Sequence, residues 1–157
     1  SNEVQFKMNF KENTAQEFIE RFKDVAMKEN DIYNIPASIT LAQGLLESTA
    51  GNSKLATSAN NLFGVKCFSK KCKKGHCKNF TDDSHKDFFR TYDSFWSSFR
   101  GHSELLQKAR YKNCYKCKDV KCWSEQLSQA GYATDKKYPQ KIQYLVKRFN
   151  LTQYDKK

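Results

Sequence analysis

The chain has 157 residues, 38% hydrophobic and 14% aromatic, with only 6 Gly and 2 Pro; this suits one folded domain and excludes low-hydrophobicity disorder and collagen-like repeats. Its 28 Lys+Arg against 17 Asp+Glu leave a net charge of +11, which implies attraction to nucleic acid, acidic membrane surfaces or anionic wall polymers without choosing among them. No stretch approaches the roughly 18 consecutive apolar residues that span a bilayer, so a soluble chain is expected.

The first 13 residues carry no clear periodicity and are expected to form a loosely held arm ahead of a single domain over 14–157. Thr14 and Glu17 have capping-box spacing, and Ala15, Phe18, Ile19, Phe22, Val25 and Ala26 recur with helical period, which predicts an amphipathic helix to about Lys28. Ile35-Pro36 announces a second start. Ala37, Ile39, Leu41, Ala42, Leu45 and Leu46 then make an unusually apolar helix, expected at the centre of the core and closed near Gly51. A short helical turn through Leu55 and Ala59 follows.

Between Asn60 and Tyr92 the character changes to Asn, Gly, Lys, Cys and aromatic residues, predicting a small β-lobe with strands near Leu62–Cys67 and Phe88–Tyr92. Asp93-Ser94 can cap a helix whose buried stripe is Phe95, Phe99, His102 and Leu106, widened by Trp96 and Leu105. A connector bearing the second cysteine cluster comes next. Trp123, Leu127 and Ala130 suit a helix closed by Gly131, and Tyr138, Ile142, Leu145, Val146 and Phe149 a last one capped by Thr134 or Asp135. The residues alone therefore predict a mainly helical α+β chain with one irregular, cysteine-rich insert around 67–79. No repeat or Pro/Gly/Ser linker divides it.

Six cysteines lie in two clusters, Cys67, Cys72 and Cys77, then Cys114, Cys117 and Cys122. All six are disulfide candidates, which points to a secreted or periplasmic protein whose signal peptide has been removed. A zinc site from Cys67, Cys72, Cys114 and Cys117, with His76 as substitute, is the competing pattern, although the short zinc-ribbon spacing occurs only once. Cys114-x-x-Cys117 lacks the strand-helix-strand surroundings of a thioredoxin-type pair. The basic run Lys70-Lys71-Cys72-Lys73-Lys74 reads as a solvated loop.

Glu47, at the end of the apolar helix, is the leading candidate for chemistry, because partial desolvation raises a carboxyl's pKa toward neutrality and lets it donate a proton. Periodicity by itself favours leaving it in solvent on a polar face beside Gln43. The surrounding text changes the weighting. Leu41-Ala42-Gln43-Gly44-Leu45-Leu46-Glu47-Ser48 with Gly51 and Ser53, then Ala59-Asn60-Asn61-Leu62-Phe63-Gly64-Val65-Lys66, and finally Ala130-Gly131-Tyr132-Ala133-Thr134-Asp135 with Tyr138, resemble bacterial endo-β-N-acetylglucosaminidases of glycoside hydrolase family 73. The three blocks agree in order and separation and span about 17–150.

The resemblance implies a lysozyme-like helical body with a small β-lobe over a sugar-binding cleft, and peptidoglycan glycan strands as substrate, cut between N-acetylglucosamine and N-acetylmuramic acid. It assigns Glu47 as general acid and matches the second carboxylate to Asp87, with Asp82 and Asp83 nearby. Aspartate is a methylene shorter than the family's usual glutamate, which sets its carboxylate back by about 1.5 Å. Tyr132 matches a cleft tyrosine that would contact the 2-acetamido group, and substrate assistance would lessen the need for a second acid. Asn61 and Phe63 would supply an amide and an aromatic wall. Gln43, Ser48 and Tyr138 are further candidates for substrate contact, Tyr138 being equally suited to bracing two helices.

His102 lies on an apolar stripe and reads as a core residue; pairing it with Cys114 or Cys117 as a cysteine hydrolase finds no local signature. No phosphate-binding glycine loop is present. A monomer without metal or cofactor is expected, with anionic envelope polymers as additional partners and no nucleic acid. The competing functions are a basic, cysteine-stapled glycan-binding module without catalysis, muramidase specificity, and a zinc-stabilised nucleic-acid module.

Overall fold

A computed structural model of the chain describes residues 5–67, 77–79 and 88–157. The elements run α1 (Glu12–Tyr33), α2 (Ala37–Ser48), α3 (Lys54–Ala59), β1 (Cys77–Asn79), β2 (Phe88–Arg90), α4 (Phe95–Leu105), a 3-10 helix (Ala109–Lys116), α5 (Val120–Gln129), α6 (Tyr138–Arg148) and a second 3-10 helix (Leu151–Tyr154). Mainly helical architecture with one small hairpin is thus what the residues form.

Helix α2 is the centre. Every residue from Ala37 to Leu45 is buried, and α1, α6 and the C-terminal 3-10 helix pack around it. Pro36 brings no side-chain cap; instead Asp155, far along the chain, accepts hydrogen bonds from the Ser38 N–H and hydroxyl, each at 2.7 Å. A carboxylate at this helix start satisfies an orphan donor and meets the positive end of the dipole.

The first helix is longer than its apolar period. It begins at Glu12 and not at Thr14, whose N–H is taken by the Asn13 side chain at 2.9 Å, so the expected Thr14/Glu17 capping box does not form. Beyond Lys28 it continues through Glu29 and Asn30, which are polar but buried. Both find partners: Glu29 accepts from Arg100 Nε at 2.7 Å, and Asn30 Oδ1 accepts from the Ala37 and Lys156 N–H groups at 3.3 and 2.9 Å. Asn34, with φ of 61°, closes the helix. The arm is docked as well: Met8 and Phe10 pack on the core, and Phe6 meets the Tyr144 ring at 5.9 Å.

Ser94 caps α4 and Asp119 caps α5, each side chain accepting a backbone N–H three residues on. Asp135 does not cap α6 directly; it closes the preceding turn by accepting from the Lys137 N–H at 2.9 Å, and the helix opens at Tyr138-Pro139. Trp96 is 45% exposed and leaves the buried stripe, lying at the edge of Phe22 with Arg21 5.1 Å over its ring.

In the β-lobe, β1 and β2 are antiparallel, with Cys77 opposite Arg90 and Asn79 opposite Phe88. The strand expected over Leu62–Cys67 contracts to its last residues, where the Arg90 N–H donates to Val65 O, the Cys67 N–H to Phe88 O, and Lys66 bridges Phe89. Residues before them must turn instead, and Gly64 does so at φ +65°, a conformation that strains any residue with a Cβ. Disulfides join Cys67 to Cys77 and Cys117 to Cys122. Cys114, expected as a disulfide partner, is a free thiol, because its side chain packs into the core at 1% exposure. The two bridges also remove Cys67 and Cys117 from any zinc set, and among the described residues no cluster of metal-ligating side chains occurs. Cys72 and His76 lie outside the described residues. No described helix is long and apolar enough to cross a membrane.

Asn61 ties the turn to the lobe. Its buried amide donates to Val65 O and Arg90 O, both at 2.9 Å, and its carbonyl accepts the Phe63 and Val65 N–H groups at 3.3 and 3.1 Å. Replacing it by alanine leaves buried backbone groups unpaired. Asn61→Ala is expected to cost about 3 kcal/mol and to lower Tm by about 6–12 °C in thermal unfolding followed by circular dichroism. An unchanged Tm would show that the amide does not hold this loop.

Candidate active site

The end of α2 carries the site. Immediately after Glu47-Ser48, Thr49, Ala50 and Gly51 adopt φ of 52°, 53° and 87°, so the chain reverses through three successive left-handed residues. Only glycine takes that region freely; the other two are strained. Ser48 holds the reversal in place, donating to Gly44 O at 2.5 Å and accepting from the Gly51 N–H at 2.8 Å. Glu47 is thereby fixed at a defined height above the helix end, half-buried.

A cavity of about 470 Å³ opens over it. It is lined by Glu47, by Phe63 to Lys66 and Phe89, and by Leu105, Arg110, Tyr111 and Gly131 to Thr134. Gly64 passes so near the acid that a Cβ there would stand 3.7 Å from Glu47 Oε2. Burial pushes the Glu47 carboxyl up from 4.5 to about 7, and no neighbouring charge contributes to the rise. No ion pair or hydrogen bond engages it among the described residues. It is a carboxyl that keeps its proton near neutrality, beside an open cavity.

Aromatic and neutral polar groups surround this acid. The half-buried Tyr132 donates its hydroxyl to Phe63 O at 3.3 Å and stacks on Tyr138, with ring centroids 5.8 Å apart. Burial, and secondarily Tyr138 and the Glu47 charge, hold its phenol well above the usual tyrosine range. Beneath lies a polar chain: His102 Nε2 meets Gln43 Oε1 at 2.7 Å, and Gln43 Nε2 donates to the Tyr138 hydroxyl at 2.9 Å. His102 is fully buried, stacks on Phe63 at 4.2 Å, and burial lowers its pKa to about 3, so it is neutral.

These bonds revise several sequence expectations. Gln43, Ser48, Asn61 and Tyr138 were candidates for touching substrate, but all are buried and their polar side-chain groups are engaged internally. They shape the site from behind. Phe63 borders the cavity, yet at 2% exposure it is chiefly wedged between His102 and Phe99. Asp87, Asp82 and Asp83 lie outside the described residues. Arg110 and Tyr111 were not foreseen, because the segment between the cysteine clusters read as a connector. The available signal was an arginine beside a large aromatic in an otherwise lysine-rich stretch.

Comparison with known proteins agrees with this geometry. Exo-glucosaminidase LytG of Bacillus subtilis is 36% identical over 153 residues, covering 89% of this chain and 53% of its own length. Peptidoglycan hydrolase FlgJ of Pseudomonas aeruginosa is 29% identical, covering 89% and 38%. The chain therefore spans about half, or less, of the length of these curated relatives. Among solved structures, an N-acetylmuramoyl-L-alanine amidase from Staphylococcus aureus superposes with a TM-score of 0.82 at 26% identity, covering the whole chain and 48% of that protein. The catalytic domain of the autolysin Auto from Listeria monocytogenes gives 0.74 at 28%, covering 97% and 91%. The glycoside hydrolase domain of Salmonella typhimurium FlgJ gives 0.70 at 26%, covering 88% and 90%. The family profile described as mannosyl-glycoprotein endo-beta-N-acetylglucosaminidase matches residues 23–151, so the chain belongs to the Glucosaminidase family.

Proposed function

We propose that this chain is the catalytic unit of a peptidoglycan hydrolase that cuts the β-1,4 bond after N-acetylglucosamine and before N-acetylmuramic acid. The observation that carries the reading is the carboxyl of Glu47, raised by burial to about 7 and paired with no charge, beside a cavity. A glycosidic oxygen is a poor leaving group until it is protonated, and an acid of pKa near the ambient pH is suited to that transfer. Glu47 donates its proton to the bridging oxygen as the C–O bond breaks. The oxocarbenium-like centre left behind is attacked by water, activated by a second carboxylate such as Asp87, or first by the sugar's own 2-acetamido oxygen. Tyr132 fits the second route, since it lines the cavity with Glu47 and its hydroxyl, donated to Phe63 O at 3.3 Å, would turn to the acetamido group on binding. Relatives named for hydrolysing peptidoglycan support the substrate class. Two disulfides and a charge of +11 suit work against an anionic wall outside the cytoplasm.

Muramidase specificity is a second reading, favoured by probable N-acetylmuramidases of Lactococcus lactis that are 28% identical over 155 residues. Digestion of purified walls separates the two by the sugar bearing the new reducing end. N-acetylglucosamine termini are expected; N-acetylmuramic acid termini would give the second reading, and an absence of products would leave a glycan-binding module.

Glu47→Gln keeps the shape of the side chain and removes its transferable proton. Release of reducing ends is expected to fall by about 10²–10⁴-fold, and a variant that clears walls at the wild-type rate would overturn the assignment.

The acid must be protonated to act, and its folded pKa is raised to about 7. Activity is therefore retained up to neutrality and declines by about tenfold per pH unit above it. A kcat/KM that stays level from pH 6 to 9 would place the essential proton elsewhere.

A further inference from the structure

Most arginines outside the cavity are committed to the fold. Arg100 is paired with Glu29, Arg148 with Glu12, and Arg21 is spread over Phe22, Phe95 and Trp96. Arg110 differs. It lines the cavity that holds Glu47, it is exposed, and no carboxylate pairs with it among the described residues. Its guanidinium carbon lies 4.7 Å over the ring of Tyr111, which is itself 1% exposed and set edge-on to Tyr132 at 6.1 Å. One face of the cation is thus seated on a fixed aromatic surface, beside the Tyr111 hydroxyl, whose pKa burial raises and the cation partly lowers, and the N–H donors not turned to that hydroxyl are left for a ligand.

Arg110 does not serve the acid. Burial alone accounts for the raised pKa of Glu47, whereas a cation in contact would lower it. A pre-seated, unpaired guanidinium in a cavity wall is suited to a planar anion, which it grips through two parallel N–H donors. On the peptidoglycan reading proposed above, the anion within reach of the scissile bond is a carboxylate of the muramyl unit. We infer that Arg110 is a specificity-determining residue that binds a carboxylate of the muramyl residue flanking the scissile bond. That carboxylate has two sources, the stem peptide in intact wall, or the lactyl ether once the peptide has been removed.

The test measures kcat and KM for wild type and Arg110→Gln on intact wall, on glycan strands stripped of peptide, and on both after their carboxylates are converted to neutral amides. The variant is expected to lose about tenfold in kcat/KM, through KM, on carboxylate-bearing substrate, and to be indifferent to amidation, whereas the wild type loses a similar factor when its substrate is amidated. Loss confined to stripped strands assigns the lactyl carboxylate, and loss on intact wall the peptide carboxylates. Equal losses on charged and amidated substrates, or none on either, overturn the inference. A wild type that releases no reducing ends from any of the four substrates would refute the hydrolase reading itself, a separate result.

Discussion

The constraint on which the site depends is a carboxyl taken out of water without a countercharge. An opposite charge within about 4–6 Å would hold it ionised, lowering its pKa by about 1–3 units, and the acid would then have no proton to give at neutral pH. In a chain of charge +11 this separation is a real structural requirement. Here it is met by rings: Phe63 and Tyr132 line the cavity with the acid, Tyr138 stacks on Tyr132, and the cations of the cavity, Lys66 and Arg110, leave its raised pKa to burial alone. Gly64 contributes by bringing backbone past the carboxyl with no side chain that could hydrogen-bond to it.

The same logic explains what lies beneath. A buried polar network is tolerable when its members find partners, and useful when it carries no charge. The His102–Gln43–Tyr138 chain meets both conditions, since burial keeps the imidazole neutral down to about pH 3. Its orphan Nδ1 is the exception, an unpaired buried acceptor whose cost the stacked Phe63 ring does not offset by hydrogen bonding. Charged partners are kept elsewhere. The Glu29–Arg100 pair joins α1 to α4, and Asp155 holds the opposite end of α2. One helix therefore has a carboxylate at its start, where the dipole favours charge, and at its end a buried carboxyl of raised pKa, where ionisation is opposed.

How much of this was legible depends on which contacts are local. Helices with apolar stripes, such as α4 behind its Ser94 cap, could be read from spacing because period and cap act within a dozen residues. Helix α1 was cut short at Lys28 because Glu29 and Asn30 interrupt the stripe; their partners, Arg100 and the N–H groups of Ala37 and Lys156, are remote in sequence. Cys114 read as a bridge partner for the converse reason. Cysteine spacing says which thiols are near one another along the chain, but the direction of each on a 3-10 helix decides whether it faces a thiol or the core. Periodicity could not distinguish a Glu47 facing solvent from one facing a cavity, since the second wall comes from residues 105–134.

The motif blocks around Glu47 deserve a different interpretation from the one their order first suggests. Polar residues that accompany a candidate acid in a sequence motif are naturally taken as substrate contacts, yet Gln43 and Ser48 on α2, Asn61 in the turn and Tyr138 on α6 have almost no free surface. What they share is a hydrogen bond that fixes one element bearing on the acid: Ser48 the reversal after it, Asn61 the loop beside it, Gln43 and Tyr138 the junction of α2 with α6. A catalytic group misplaced by an ångström can lose orders of magnitude in rate, so if Glu47 is the proton donor proposed, such fixing matters. On the proposed reading of Glu47 as proton donor, the block is a positioning device for that one side chain. On the same proposal, discrimination between substrates would fall to side chains that line the cavity from segments outside the α2 and Asn-Asn blocks, of which Arg110 is the example that sequence spacing concealed.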